Sequence, residues 1–202
     1  LNNYGIVTGN ATATGGAFTN ESSGTVGGNV TADGDSIVTN SGEIQGNAIV
    51  QGAGTATFTN NNLIDGSVSV TGGGGDPAIS GTFGFTNAGT IKGGANVSSG
   101  SLVNNGGTIG NDQPGGTGLI VGPGGGIVFN ESGTVSDGVE VDNGGIFSNW
   151  DSVSGNATVS GTLNNVGYLD GNVTVNNGGE VNNGGTVMFG SADSGDGTVS
   201  GS

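Results

Sequence analysis

One phrase recurs ten times along this chain: an apolar residue shortly before an Asn, a short turn, then Val, Ile or Leu, with Gly close behind. The anchoring residues are Asn3, Asn20, Asn40, Asn60, Asn87, Asn104, Asn130, Asn149, Asn165 and Asn183, a mean spacing of 20 residues. A repeat of that length cannot bury its own apolar side chains. It becomes stable by stacking on its neighbours, which is the logic of a solenoid.

The third copy gives the grammar of one coil: Val38-Thr39-Asn40-Ser41-Gly42-Glu43-Ile44-Gln45-Gly46-Asn47-Ala48-Ile49-Val50. Val38 opens a short strand, Asn40 to Gly42 turn, Ile44 opens a second strand that breaks at Gly46, and Ala48 to Val50 form a third. The third strand recurs as Val68-Ser69-Val70, Val139-Glu140-Val141 and Val173-Thr174-Val175. This alternation puts Val inside and the polar residue outside. The spacing therefore predicts an all-β, single-domain parallel β-solenoid of about ten coils, roughly 20 residues and three short strands each. At a strand spacing of ~4.8 Å, ten coils make a rod roughly 50 Å long. Asn and Gly at the corners are read as residues that tolerate positive φ. Stacked Asn side chains are expected to hydrogen-bond from coil to coil. Phe18, Phe58, Phe85 and Phe147 share one repeat position and belong in the core.

Composition narrows the function classes. There are 49 Gly, no Cys, no His and one Lys or Arg, Lys92, against 16 acidic residues, giving a net charge of -15. The lack of Cys removes disulfides, thiol nucleophiles and cysteine metal sites. So acidic a chain is a poor partner for nucleic acid or anionic membranes. No stretch approaches the ~20 apolar residues of a membrane helix, so no membrane insertion of this segment is expected. Enzyme activity is not expected either. The closest carboxylate pairs, Asp33 with Asp35 and Glu140 with Asp142, fall on solvent faces, and no cofactor or metal set is evident. Gly72-Gly73-Gly74-Gly75-Asp76 is a single, isolated approach to a Ca²⁺-binding nonapeptide, and no series of such motifs accompanies it.

Two coils are long: 27 residues separate Asn60 from Asn87, and 26 separate Asn104 from Asn130. They hold all three prolines, Pro77, Pro114 and Pro123. Proline cannot donate to an interior ladder, so Gly72–Gly84 and Gly110–Gly126 read as loops bulging from the rod. Asp76, Pro77, Asp112, Pro114 and Pro123 are the candidate interaction residues. The segment 1–190 reads as solenoid, and 191–202, built of Gly, Ser and Asp with little else, as a tail or inter-subunit linker.

The run Asn-x-Gly-x-Ile-x-Gly-x-x-x-Val, as in Asn40 to Val50 and Asn87 to Val97, resembles the repeats of bacterial autotransporter passengers and related large surface adhesins. The resemblance covers the chain from Leu1 to about Phe189. It implies a right-handed parallel β-helix displayed outside the cell for adhesion, aggregation or biofilm growth. It carries over no site residues. The repeat grammar starts at Leu1 with no capping pattern, which points to a processed protein or fragment, or to subunits that stack head to tail into a filament. The leading expectation is an extracellular structural solenoid of a bacterial surface fibre or adhesin stalk whose main partner is itself. The alternatives are a carbohydrate- or host-binding adhesin using the long-coil loops and, remotely, a polysaccharide-active β-helix enzyme.

Overall fold

The computed structural model describes residues 1–72, 84–188, 191–193 and 198–201. Each copy of the repeat becomes one coil of three short strands. The third copy gives Ile37–Asn40, Glu43–Ile44 and Ala48–Gln51. Corresponding strands of successive coils pair in parallel, so the chain is an all-β solenoid with three parallel sheets of 11, 10 and 10 strands. Copies pair in the register set by the side chains: Asn20 with Asn40, Val26 with Ile44, Ala32 with Val50.

The core is a set of apolar columns running along the axis. The first sheet supplies Phe18, Val38, Phe58, Phe85, Leu102, Val128 and Phe147, all buried and all in one register. Phe58 and Phe85 stack with ring centroids 5.0 Å apart. The second sheet contributes one inward residue per coil, Ile44, Ile64, Ile91 and Ile109 among them, and the third sheet two. One apolar residue per short strand suffices because each coil buries its faces against the coils above and below.

Register survives the uneven spacing. Asn104 pairs with Asn130 across the 26-residue step. The stretch Gly110–Gly126, expected as one loop, is divided: Leu119–Val121 forms a strand of the third sheet, paired with Ala95–Ser99 and Val139–Val141. Leu119 and Val121 point inward and are fully buried, and that alternation captures the segment for the sheet. Pro123 then lies in the corner Gly122–Gly126, away from the true insertion at 110–118. Asp76 and Pro77 lie outside the described residues.

Two further findings differ from the sequence reading. The segment 191–202, read as a tail or linker, supplies strands Ser191–Asp193 and Thr198–Gly201, paired with Val173–Val175 and Glu180–Asn183. An exposed sheet edge recruits backbone through N–H and C=O groups and needs no apolar side chain to do so. The ten Asn residues, in turn, do not serve as positive-φ corner residues. Among the described residues Asp137, at φ 66°, is the only such residue besides glycine. The Asn residues close the first strand of each coil with their side chains turned inward. The corner glycines that follow them answer to crowding. A Cβ on Gly89 would collide with the backbone of Asn62 in the coil before.

Candidate functional site

Two polar features stand out, one inside the rod and one on its surface. The inner one is the Asn column. Asn20, Asn40, Asn60, Asn87, Asn104 and Asn130 are completely buried, and Asn149 and Asn165 almost so. Each Nδ2 donates to the Oδ1 of the next coil's Asn: Asn3 to Asn20 at 2.8 Å, Asn40 to Asn60 at 2.8 Å, Asn104 to Asn130 at 2.8 Å, and so on to Asn165 and Asn183 at 2.7 Å. The second Nδ2 hydrogen caps the turn. In Asn104 it points to the carbonyls of Gly107 at 3.1 Å and, more distantly, of Thr134 at 3.3 Å. A buried amide with donors and acceptor all engaged is tolerated in an apolar interior, whereas an unpaired one is not. The column ends where Asn183 meets Gly201 in register.

The surface feature is a groove of about 680 Å³ beside the 110–118 insertion. Asp137 fastens the insertion at both ends. Its Oδ2 accepts from Asn111 N at 2.9 Å, and its carbonyl accepts from Gly118 N at 3.2 Å. Within the insertion, Asn111 Nδ2 donates to Thr117 O at 3.0 Å and Asn111 Oδ1 accepts from Gln113 N at 3.1 Å. Of the residues singled out in the sequence, Asp112 and Pro114 line this groove. The opposite wall comes from Glu140, Asn156 and Thr158 on later coils. Sequence reasoning missed those partners and the role of Asp137. The available signal was the Ser136-Asp137-Gly138 corner, since Asp before Gly marks a tight turn.

The groove is polar and acidic. Asp112, Asp137 and Glu140 supply carboxylates, and Gln113, Asn156 and Thr158 supply donors. Among the described residues no group of three or more carboxylate, imidazole or thiol side chains converges on a metal-sized point. Lys92 does not serve the groove: its Nζ donates to Asp65 Oδ1 at 2.7 Å. That hydrogen bond and the charge of Asp65 raise the Lys92 pKa above its ordinary 10.5. Such a surface can hold hydroxylated or cationic ligands by hydrogen bonds and charge. Comparison with family models, curated proteins and solved structures finds no match.

Proposed function

We propose that this chain is a structural rod, the stalk segment of an extracellular bacterial surface fibre or adhesin that associates with further copies of itself. The carrying observation is the uninterrupted Asn column, nine side-chain bonds in series along the axis. A scaffold of this kind lengthens by adding identical coils, and each added coil is held by three strand pairings and one amide bond. The test is electron microscopy with light scattering across a concentration series. Rods that grow end to end with concentration support the reading; a stable monomer at every concentration opposes it.

A second reading, a carbohydrate- or host-binding adhesin using the long-coil loops, draws support from the groove beside 111–117. Deleting that insertion should abolish surface binding, or glycan binding at the groove, while leaving the rod intact. Unchanged binding would remove this reading.

A further inference from the structure

Two aromatic side chains break the outer-face pattern of the first sheet, and they meet; Val103, buried in the same outward column and paired with Phe129, breaks it one coil earlier. At the outward position of this sheet the early coils carry Thr19, Thr39, Thr59 and Thr86 in one register. The coil Ile127–Asn130 places Phe129 there instead. In the corner just past the Asn, other coils carry small or polar residues such as Ser41, Asn61, Ala88 and Asn105. The coil Ile146–Asn149 is followed by Trp150. The Phe129 and Trp150 rings stack with centroids 5.4 Å apart and planes within 8°. Trp150 remains 45 % exposed. Neither ring belongs to the inner core, and the same positions on other coils carry Thr, Val, Ser or Asn beside Phe129 and Ser, Asn, Ala or Val beside Trp150, so the stacking of coils does not itself call for two aromatic rings.

A polar row continues from the aromatic pair along the axis. Phe129, Ser148, Asn164 and Asn182 stand in one register on the outward side, one per coil, with Ser148 itself buried. Asn182 Nδ2 donates to Asn164 Oδ1 at 3.1 Å and to Glu180 Oε1 at 2.8 Å, and Asn164 Nδ2 reaches Ser148 Oγ at 3.4 Å. The amides are thus held in place by one another.

We propose that this platform binds an uncharged saccharide, lying along the rod with one pyranose ring on the Phe129–Trp150 stack and its hydroxyls against Asn164 and Glu180. The C–H face of a pyranose carries partial positive charge and complements the negative face of an aromatic ring. Amide and carboxylate groups beside it offer the donors and acceptors that hydroxyls need. Charge selects the class of ligand. With a net charge of -15 and its one basic side chain paired to Asp65, the chain disfavours an acidic polymer but not a neutral sugar. The platform lies on the first sheet, whereas the groove beside 111–117 is walled by the third, so this inference is independent of both readings above.

Trp150 is the sole Trp, so emission excited at the red edge of the absorption band, where the two Tyr do not absorb, reads this site alone. The full chain is titrated with cellohexaose, hexa-N-acetylchitohexaose and maltohexaose, with an oligogalacturonate as the anionic probe. Expected is a saturable blue shift and protection from acrylamide with at least one neutral hexasaccharide. Phe129→Ala should then weaken binding about tenfold with an unchanged circular dichroism spectrum. Asn164→Ala, read by calorimetric titration, should also weaken it, and serves alone if Phe129→Ala disturbs the fold. Deletion of 111–117 should leave binding intact. The proposal is overturned if no neutral hexasaccharide moves the emission, if only the oligogalacturonate does, or if the shift follows protein concentration without sugar. Binding indifferent to both Phe129→Ala and Asn164→Ala would overturn it too.

Discussion

Asn104→Ala is the most informative single change, because the ladder makes its cost specific. The Asn104 Nδ2 supplies the coil-to-coil bond to Asn130 Oδ1 at 2.8 Å, and its Oδ1 receives Asn87 Nδ2 at 2.8 Å. Removing the amide strands the Asn130 oxygen in an interior fully closed to solvent. A stranded buried acceptor costs about 1–3 kcal/mol. The lost bond from Asn87 and the small void add about 1 kcal/mol. Asn87 Nδ2 keeps the Gly89 carbonyl at 3.1 Å, so it is not stranded. The expected total is about 3 kcal/mol, a large part of the ~5–15 kcal/mol that holds a typical domain together. Asn183→Ala should cost about 1 kcal/mol, because Asn183 is only half-buried and meets Gly201 rather than another Asn. In the pair Asn104→Ala/Asn130→Ala the stranded acceptor moves to Asn149 Oδ1, which Asn130 Nδ2 otherwise serves at 2.7 Å. One stranded acceptor then replaces two, so the double variant should cost about 1–3 kcal/mol less than the two single changes added. Urea denaturation followed by circular dichroism measures all four variants. Strict additivity, or an Asn104→Ala cost equal to that of Asn183→Ala, would refute the reasoning.

Further expectations follow from the same geometry. Gly89→Ala drives a methyl into the backbone of Asn62 and should cost at least about 1–3 kcal/mol, whereas Gly16→Ala points into open space and should stay within about 0.5 kcal/mol. Ser36 Oγ is fully buried without a hydrogen-bond partner, and Ala56 fills the same place one coil on, so Ser36→Ala should leave the melting temperature equal or higher. The raised pKa of Lys92 means that its contact with Asp65 stabilises the fold fully below pH 10.5 and fades as pH climbs through the folded-state value. Thermal melts from pH 9 to 12 should therefore show an extra alkaline loss in the parent chain that Lys92→Met lacks; identical slopes would contradict the pairing.

The period carried most of the fold. Ten Asn residues at one phase placed the strands, and the Val-x-Val alternation of the third strand told inside from outside. The uneven steps did no harm, because register is fixed by the inward residues while corners absorb length, as Asn104 and Asn130 show across 26 residues. Two features were hidden for physical reasons. Leu119–Val121 sits between a Pro-bearing insertion and a Gly-rich corner, so its alternation is too short to stand out. The partners across the groove, Glu140, Asn156 and Thr158, are brought to Asp112 by stacking of coils and not by neighbouring sequence. Composition gave a further false lead. Asn at a turn suggests positive φ, yet here the amide is chosen for what it bonds in the interior.

Hydrogen exchange of the Asn side-chain amides, resolved residue by residue by nuclear magnetic resonance, tests the central claim most directly. If coils are locked by a continuous column, the Nδ2 groups of Asn20, Asn40, Asn60, Asn87, Asn104, Asn130, Asn149 and Asn165 should exchange far more slowly than those of exposed Asn2 and Asn143. Protection should decline towards Asn3 and Asn183. Exchange of the column amides at the rate of Asn2 and Asn143 would contradict the account.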